Sequence, residues 1–201
     1  MTIRPGEEWG VPCEVAPGWP RVTTDAAVAD RAPGPLVVAG GDLFWNLGGR
    51  GGPTAMQFPI DLLFVEIGEQ TYRAAAHVVL RGVAWSGPTI IAMNASHLGP
   101  WYLGPKAHPN DGLVDVTVGQ LGWAQRWQAR KRAATGAHLP HPDLRYRRVE
   151  VFDVALAVRR QLWIDGIRCG SVRAGSAIRI SVQADAAEVV LDASGATSSP
   201  R

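Results

Sequence analysis

The chain reads as a series of short apolar runs broken by turn residues, with one longer helical pattern between them. Residues 60–67 (IDLLFVEI) predict a strand, closed by a Gly68-Glu69 turn. Residues 71–80 (TYRAAAHVVL) follow as the second arm of a hairpin or, given their alanines, as a short helix. Residues 89–94 (TIIAMN) predict a buried strand that ends on a polar residue. Leu113, Val114, Val116 and Val118 predict another, entered through Asn110-Asp111-Gly112, a turn sequence because these residues accept left-handed dihedrals. Residues 120–135 carry the helical period: Leu121, Trp123 or Ala124, Trp127 and Ala134 form an apolar stripe, and Gly136 suits the C-cap. The last third returns to strands, at 146–158, 161–164, 178–182 and 188–191, with turns at Asp165-Gly166, Ala174-Gly175 and Asp185-Ala186. Together these patterns predict a mainly β (α+β) protein, an antiparallel β-sandwich with one main helix.

Residues 1–40 are rich in Pro, Gly and small polar residues and predict an irregular N-terminal arm, with at most a helical turn near 25–30 and an edge strand. The domain proper is expected over 41–192, followed by a disordered tail at 193–201. No stretch reaches the 18 or so uncharged apolar residues of a membrane span. The first ten residues lack the apolar core of a signal peptide, and Cys13 and Cys169 have no metal or redox spacing, so a cytoplasmic setting is expected.

Net charge is only +2, but it is unevenly placed. Between Val116 and Arg148 the one acidic residue is Asp143, against Arg126, Arg130, Lys131, Arg132, Arg145, Arg147 and Arg148. On a helix these cations are either a solvated face that complements the helix dipole or a surface drawn to anionic lipid, at about 1 kcal/mol per Lys or Arg. Trp101 and Tyr102 either anchor at a membrane or partner surface or pack beneath their own loop. His77, in an apolar run, reads as a core histidine, and His138 and His141 have ligand-like spacing without Cys or carboxylate partners. No nucleic-acid-binding motif is present, so nucleic acid is not an expected partner.

Residues 104–118 carry Pro105, Ala107, Asn110, Asp111, Gly112, Leu113, Val114, Asp115 and Val116 in the pattern P-x-A-x-x-[DN]-D-G-L-[LV]-D-V. This pattern resembles the C-terminal domain of the bacterial diacylglycerol kinase and sphingosine kinase family of lipid kinases. The resemblance implies a structural magnesium site with Asp111 as the side-chain ligand and the carbonyls of His108 and Leu113 beside it. Oxygen ligands of this kind suit a hard cation. Looser similarities extend it over 41–192: Pro59-Ile60-Asp61-Leu62 matches the family's P-I-D-L strand, and 136–142 its G-x-H segment.

Two features of a working kinase are missing from the match. Gly40-Gly41-Asp42 matches the start of the GGDGT phosphate loop, but Leu43 and Phe44 replace its last two positions and would obstruct a phosphate. Residues 41–48 fit the later G-N-D-F-A-R-x-L-G segment better. In the family's D-G-E motif the Glu is the general base; here the sequence is Asp165-Gly166-Ile167, and Ile167 cannot accept a proton. Asp165 would serve only if the turn were rebuilt. ATP is therefore not an expected cofactor. The expectation is a non-catalytic lipid- or membrane-surface-binding, or regulatory, domain, cytoplasmic or peripheral to a membrane. Its contacts would come from Trp101, Tyr102, Arg126, Arg130 and Lys131. Two alternatives stand beside it: a lipid kinase completed by oligomerisation or by a separate nucleotide-binding subunit, and an oligomerisation module.

Overall fold

Apolar side chains spaced for burial along two long segments, 55–67 and 177–191, set the frame of the molecule, which a computed structural model describes for residues 9–49, 54–133 and 142–192. In chain order the strands and helices are β1 (Val11–Cys13), β2 (Arg21–Val22), α1 (Asp25–Arg31), β3 (Pro35–Val38) and α2 (Asp42–Asn46). Next come β4 (Ala55–Ile67), β5 (Gln70–Ala74), β6 (His77–Arg81), a 3-10 turn at Val83–Trp85, β7 (Thr89–Met93), β8 (His97–Leu98) and β9 (Trp101–Tyr102). The chain continues with β10 (Val114–Gly119), α3 (Trp123–Ala133), β11 (Leu144–Val149), β12 (Val151–Ala155), β13 (Arg160–Ile164), β14 (Ile167–Val172) and β15 (Ala177–Leu191).

Strands β4 and β15 pair antiparallel from Ile67↔Ile178 to Met56↔Leu191, with a bulge between Gln183 and Ala187. The first half of β15 also pairs with β12, and the second half pairs parallel with β3, which pairs parallel with β2. With β1 and β5 on β4, this makes one sheet. The second sheet runs β11-β10-β7-β6-β13-β14, antiparallel throughout, and β8-β9 form a small hairpin. The two main sheets face each other across Leu63, Val65, Ile178 and Ile180 on one side and Val78, Leu80, Val116 and Leu162 on the other. A separate core lies at the far half of β4 and β15, where α1 and α2 bury Val28, Leu43 and Phe44 against Leu36, Ile60 and Val189. The mainly β, antiparallel sandwich expected from the pattern is the fold observed.

Several local expectations are corrected. The described part of the supposed irregular arm, residues 9–40, is ordered into β1, β2, α1 and β3, and β3 lies inside the main sheet. Residues 71–80 hold two strands and no helix: Ala74, Ala75 and Ala76 are all fully buried at the corner between β5 and β6. The supposed turn at Asp185 is the bulge of one continuous strand, with Asp185 at φ 51°. The supposed strand 146–158 is two strands in different sheets, β11 and β12. Strand β14 follows the Asp165-Gly166 turn, a position for which no strand was expected. His138, His141, Gly136 and the tail 193–201 lie outside the described residues.

Asp61, on β4 and fully buried, ties the bulge of β15 to the loop before β10. Its carboxylate accepts the N–H groups of Gly112 at 2.7 Å and Asp185 at 3.0 Å. Orphaning a buried donor costs about 1–3 kcal/mol. Asp61→Ala is therefore expected to destabilise the protein by about 3 kcal/mol in urea unfolding, whereas exposed Asp153→Ala should change stability by less than about 1 kcal/mol.

Candidate functional site

Strand alternation turns Ile91 and Thr117 to the face of the second sheet opposite the sandwich core, where Thr117 is paired with Ile91 and Gly119 with Thr89. Helix α3 crosses this outer face. The residues it turns toward the sheet, Arg126, Ala129 and Ala133, follow helical spacing, and two of the three are alanine. Such short side chains leave the space between helix and sheet unfilled: a half-open cavity of about 430 Å³. Trp85 and Trp101 close one end, edge to face with ring centroids 5.9 Å apart, and Leu103 and Leu144 line the flanks. The volume falls within the roughly 300–1,000 Å³ of small-molecule sites.

The expected tryptophan stripe of this helix is not in the core. Trp123 is 80% exposed and Trp127 58% exposed, both on the cavity's rim. The Lys131 ammonium lies 3.6 Å from the centroid of the Trp127 ring. Arg130 lies on the same helix. Of the other expected contact residues, Trp101 is half-buried and lines the cavity, so it is part of the site's wall. Tyr102 packs against the His97 ring at 4.8 Å and donates its hydroxyl to the Pro105 carbonyl at 3.3 Å.

The loop 104–118 is brought into a polar cluster of its own. Asp111 Oδ1 accepts the N–H of Leu113 at 3.0 Å, and Oδ2 is bound by Arg148. Arg148 Nε also reaches Asp115 Oδ1 at 2.9 Å, so one guanidinium bridges two carboxylates. Burial holds both carboxyls above the usual carboxylate range, although Arg148 acts against it. The His108 ring packs at a tilt against Trp9, with centroids 4.7 Å apart, and accepts the Asn110 N–H through Nδ1. Its imidazole is held below its ordinary value by burial, against the pull of Asp61. Each Asp111 oxygen thus already has one protein donor, and Arg148 supplies a positive charge at the position expected of the cation.

At the position of the expected base, Ile167 is 56% exposed. Asp165, the alternative acceptor, turns inward at the same corner. Its Oδ2 accepts the N–H of Ala75 at 2.8 Å, and its Oδ1 those of Ala76 and His77, each at 2.9 Å. Burial pushes its carboxyl up, against the His77 charge and these bonds.

A second buried polar cluster escaped the sequence reading. Asp25, at the start of α1, accepts the N–H groups of Asp42 at 2.7 Å and Leu43 at 3.0 Å, the first residues of α2. Gly41, at φ +96°, precedes them; a Cβ there would sit 2.4 Å from Asp25 Oδ1, so only glycine admits this approach. The Gly40-Gly41-Asp42 run therefore receives a carboxylate. Asp42 in turn accepts the Gly99 N–H and meets His77 Nε2 at 3.0 Å. Donor atoms of Asp25, Asp42 and His77 lie within 4.8 Å of one another, a nitrogen and oxygen set that suits a divalent cation. His77 is the core histidine expected, paired through one ring nitrogen; its Nδ1 has no partner among the described residues. The contacts Asp25–Asp42 and Asp42–His77 span 17 and 35 residues, and no local spacing signals them.

Comparison with known proteins follows the fold. No protein-family model matches the chain, and no curated protein matches it in sequence. Three solved structures assigned as diacylglycerol kinases of Bacillus anthracis str. Sterne are similar to it. Their TM-scores are 0.53, 0.51 and 0.50, at 12%, 11% and 10% identity. The matches cover 80%, 80% and 85% of this chain and 70%, 79% and 80% of those chains. At such identities the likeness is one of fold. Among the described residues, no helix is long and apolar enough to cross a membrane.

Burial, the Asp165 charge and Asp42 raise the Asp25 carboxyl to about 7 despite its two backbone hydrogen bonds, and burial raises Asp61 to about 6. Burial pulls the His77 imidazole down, but its hydrogen bond to Asp42 and the surrounding carboxylates outweigh this and leave it raised. A raised folded-state pKa gives stability that is full below the unfolded value and is lost as pH rises through the folded one. All three groups act in that direction. The melting temperature should fall by about 5 °C between pH 5 and pH 8, and Asp25→Asn should flatten the profile. Scanning calorimetry across this range measures both.

Proposed function

We propose that the protein is a lipid- and membrane-surface-binding domain built on a diacylglycerol-kinase-like fold, without catalysis of its own. The observation that carries this reading is the alanine-faced helix α3, which leaves an apolar cavity beneath it and sets Trp123 and Trp127 on the rim. Exposed indoles beside an open apolar cavity suit a membrane interface, where an amphipathic ring has its body in apolar surroundings and its N–H in water. Lys131, against the Trp127 ring, adds a cation at the same level. A non-catalytic role is supported by Ile167 at the base position and by the inward engagement of Asp165.

Co-sedimentation with vesicles tests the reading. Vesicles with about one third anionic phospholipid should bind the protein at low salt, and 0.5 M salt should release most of it. Trp123→Ala with Trp127→Ala should weaken binding by about tenfold with the melting temperature unchanged, because both side chains are exposed. Equal binding to neutral and anionic vesicles, or none to either, would overturn the reading. The same preparation, given ATP, magnesium and diacylglycerol, is expected to form no phosphatidic acid above a blank; steady product would favour a kinase instead.

A further inference from the structure

Among the described residues, Arg126 is the one charged side chain that lines the cavity under α3; the hydroxyl side chains on its lining are Ser86, Thr89 and Thr117. Its Nη1 donates to the Ala84 carbonyl at 3.3 Å, which ties the helix to the 3-10 turn at the cavity's Trp85 end. Its Nε is buried and has no hydrogen-bond partner among the described residues. The turn that receives it is itself unusual: Ala84 and Trp85 stand at φ 50° and 62°, left-handed backbone on two successive non-glycine residues. Both line the cavity, a place where held strain points to a functional constraint. A guanidinium with an unpaired, water-shielded N–H at an apolar cavity lacks the acceptor that such a group ordinarily finds.

From this geometry we infer that the cavity takes a single-chain amphiphile with an anionic headgroup, whose oxygens pair with the Arg126 guanidinium while its chain lies between α3 and the outer face of β7 and β10. The inference rests on the reading of this cavity as a lipid site. Size admits a chain: the cavity's volume of about 430 Å³ lies within the roughly 300–1,000 Å³ of small-molecule sites, and its lining is mostly apolar. Charge selects the head, because a neutral alcohol or ester brings no charge to pair with the guanidinium. Carboxylate and phosphate monoester share the required chemistry, two or more acceptor oxygens on one anionic centre.

The test is binding of three ligands of equal chain length to the full chain: myristate, monotetradecyl phosphate and tetradecanol. Each is kept below its micelle concentration and followed by tryptophan fluorescence, to which Trp85 and Trp101 report. Either anion, or both, should bind at least tenfold more tightly than the alcohol, and the two arms tell a carboxylate site from a phosphate site. In Arg126→Met the preference should vanish, so that acid and alcohol bind alike, and Arg126→Lys should restore part of it. Ala129→Trp, which fills the cavity and keeps the cation, should abolish binding of all three. If Arg126→Met does not fold, the comparison of anions with alcohol on the unaltered protein still decides. Alcohol binding as tight as that of the anions would overturn the inference and leave the lipid site standing. Acetate or inorganic phosphate binding as well as the long-chain anions would also overturn it, since no chain would be recognised. No binding of any amphiphile would overturn the inference and the lipid reading together.

Discussion

Three buried aspartates hold this fold together by the same interaction, a carboxylate that accepts main-chain N–H groups which no strand or helix satisfies. Asp61 binds Gly112 and Asp185, Asp165 binds three successive residues at the β5–β6 corner, and Asp25 binds the first turn of α2. In each case the donors lie where regular pairing stops: at a loop, a bulge, a corner or a helix start. A buried N–H without an acceptor is costly, and a charge-assisted bond is about twice as strong as a neutral one. The sandwich can therefore change direction in its interior. The cost appears in the raised affinity of these carboxyls for protons.

The outer face of the second sheet follows a different logic. Helix α3 shows Ala129 and Ala133 to the strands it crosses, so it does not seal the sheet as a leucine-faced helix would. Its large apolar side chains are turned outward instead, against the usual arrangement of an amphipathic helix on a domain surface. Void and exposed aromatics are two sides of one choice of residues. Two cations stand at the same place, Arg126 on the cavity's lining and Lys131 against the Trp127 ring.

Much of the architecture was legible in the sequence. The β-rich pattern, the main helix and the ordered turn at Asn110-Asp111-Gly112 all came from local periodicity and turn chemistry, which short segments encode by themselves. Asp185-Ala186 has turn composition, which splits strand β15 in two on local pattern; the Asp61 carboxylate, 124 residues earlier, makes it a bulge in one strand. Trp123 and Trp127 share a helix face as their spacing says, but spacing cannot tell which face meets the sheet. Asp111 was singled out as a cation ligand, yet its partner Arg148 stands 37 residues on and was counted only as part of a basic cluster. The Asp25–Asp42–His77 junction left no trace in any window, because each group comes from a different element.

The position of β15 has a consequence for how the chain reaches this state. It pairs with β4, β3 and β12, and it contributes to both main cores, yet all of these partners precede it in the sequence. Until residues 177–191 emerge from the ribosome, β4 and β3 have no neighbour between them, and the far core around α1 and α2 lacks one wall. Contacts of such sequence separation carry a large loop-closure cost before they return any stabilisation, which makes folding slow. During synthesis the nascent chain must therefore carry the unpaired, strongly apolar edge of β4 through more than a hundred residues of elongation, the kind of exposed edge that associates with other chains.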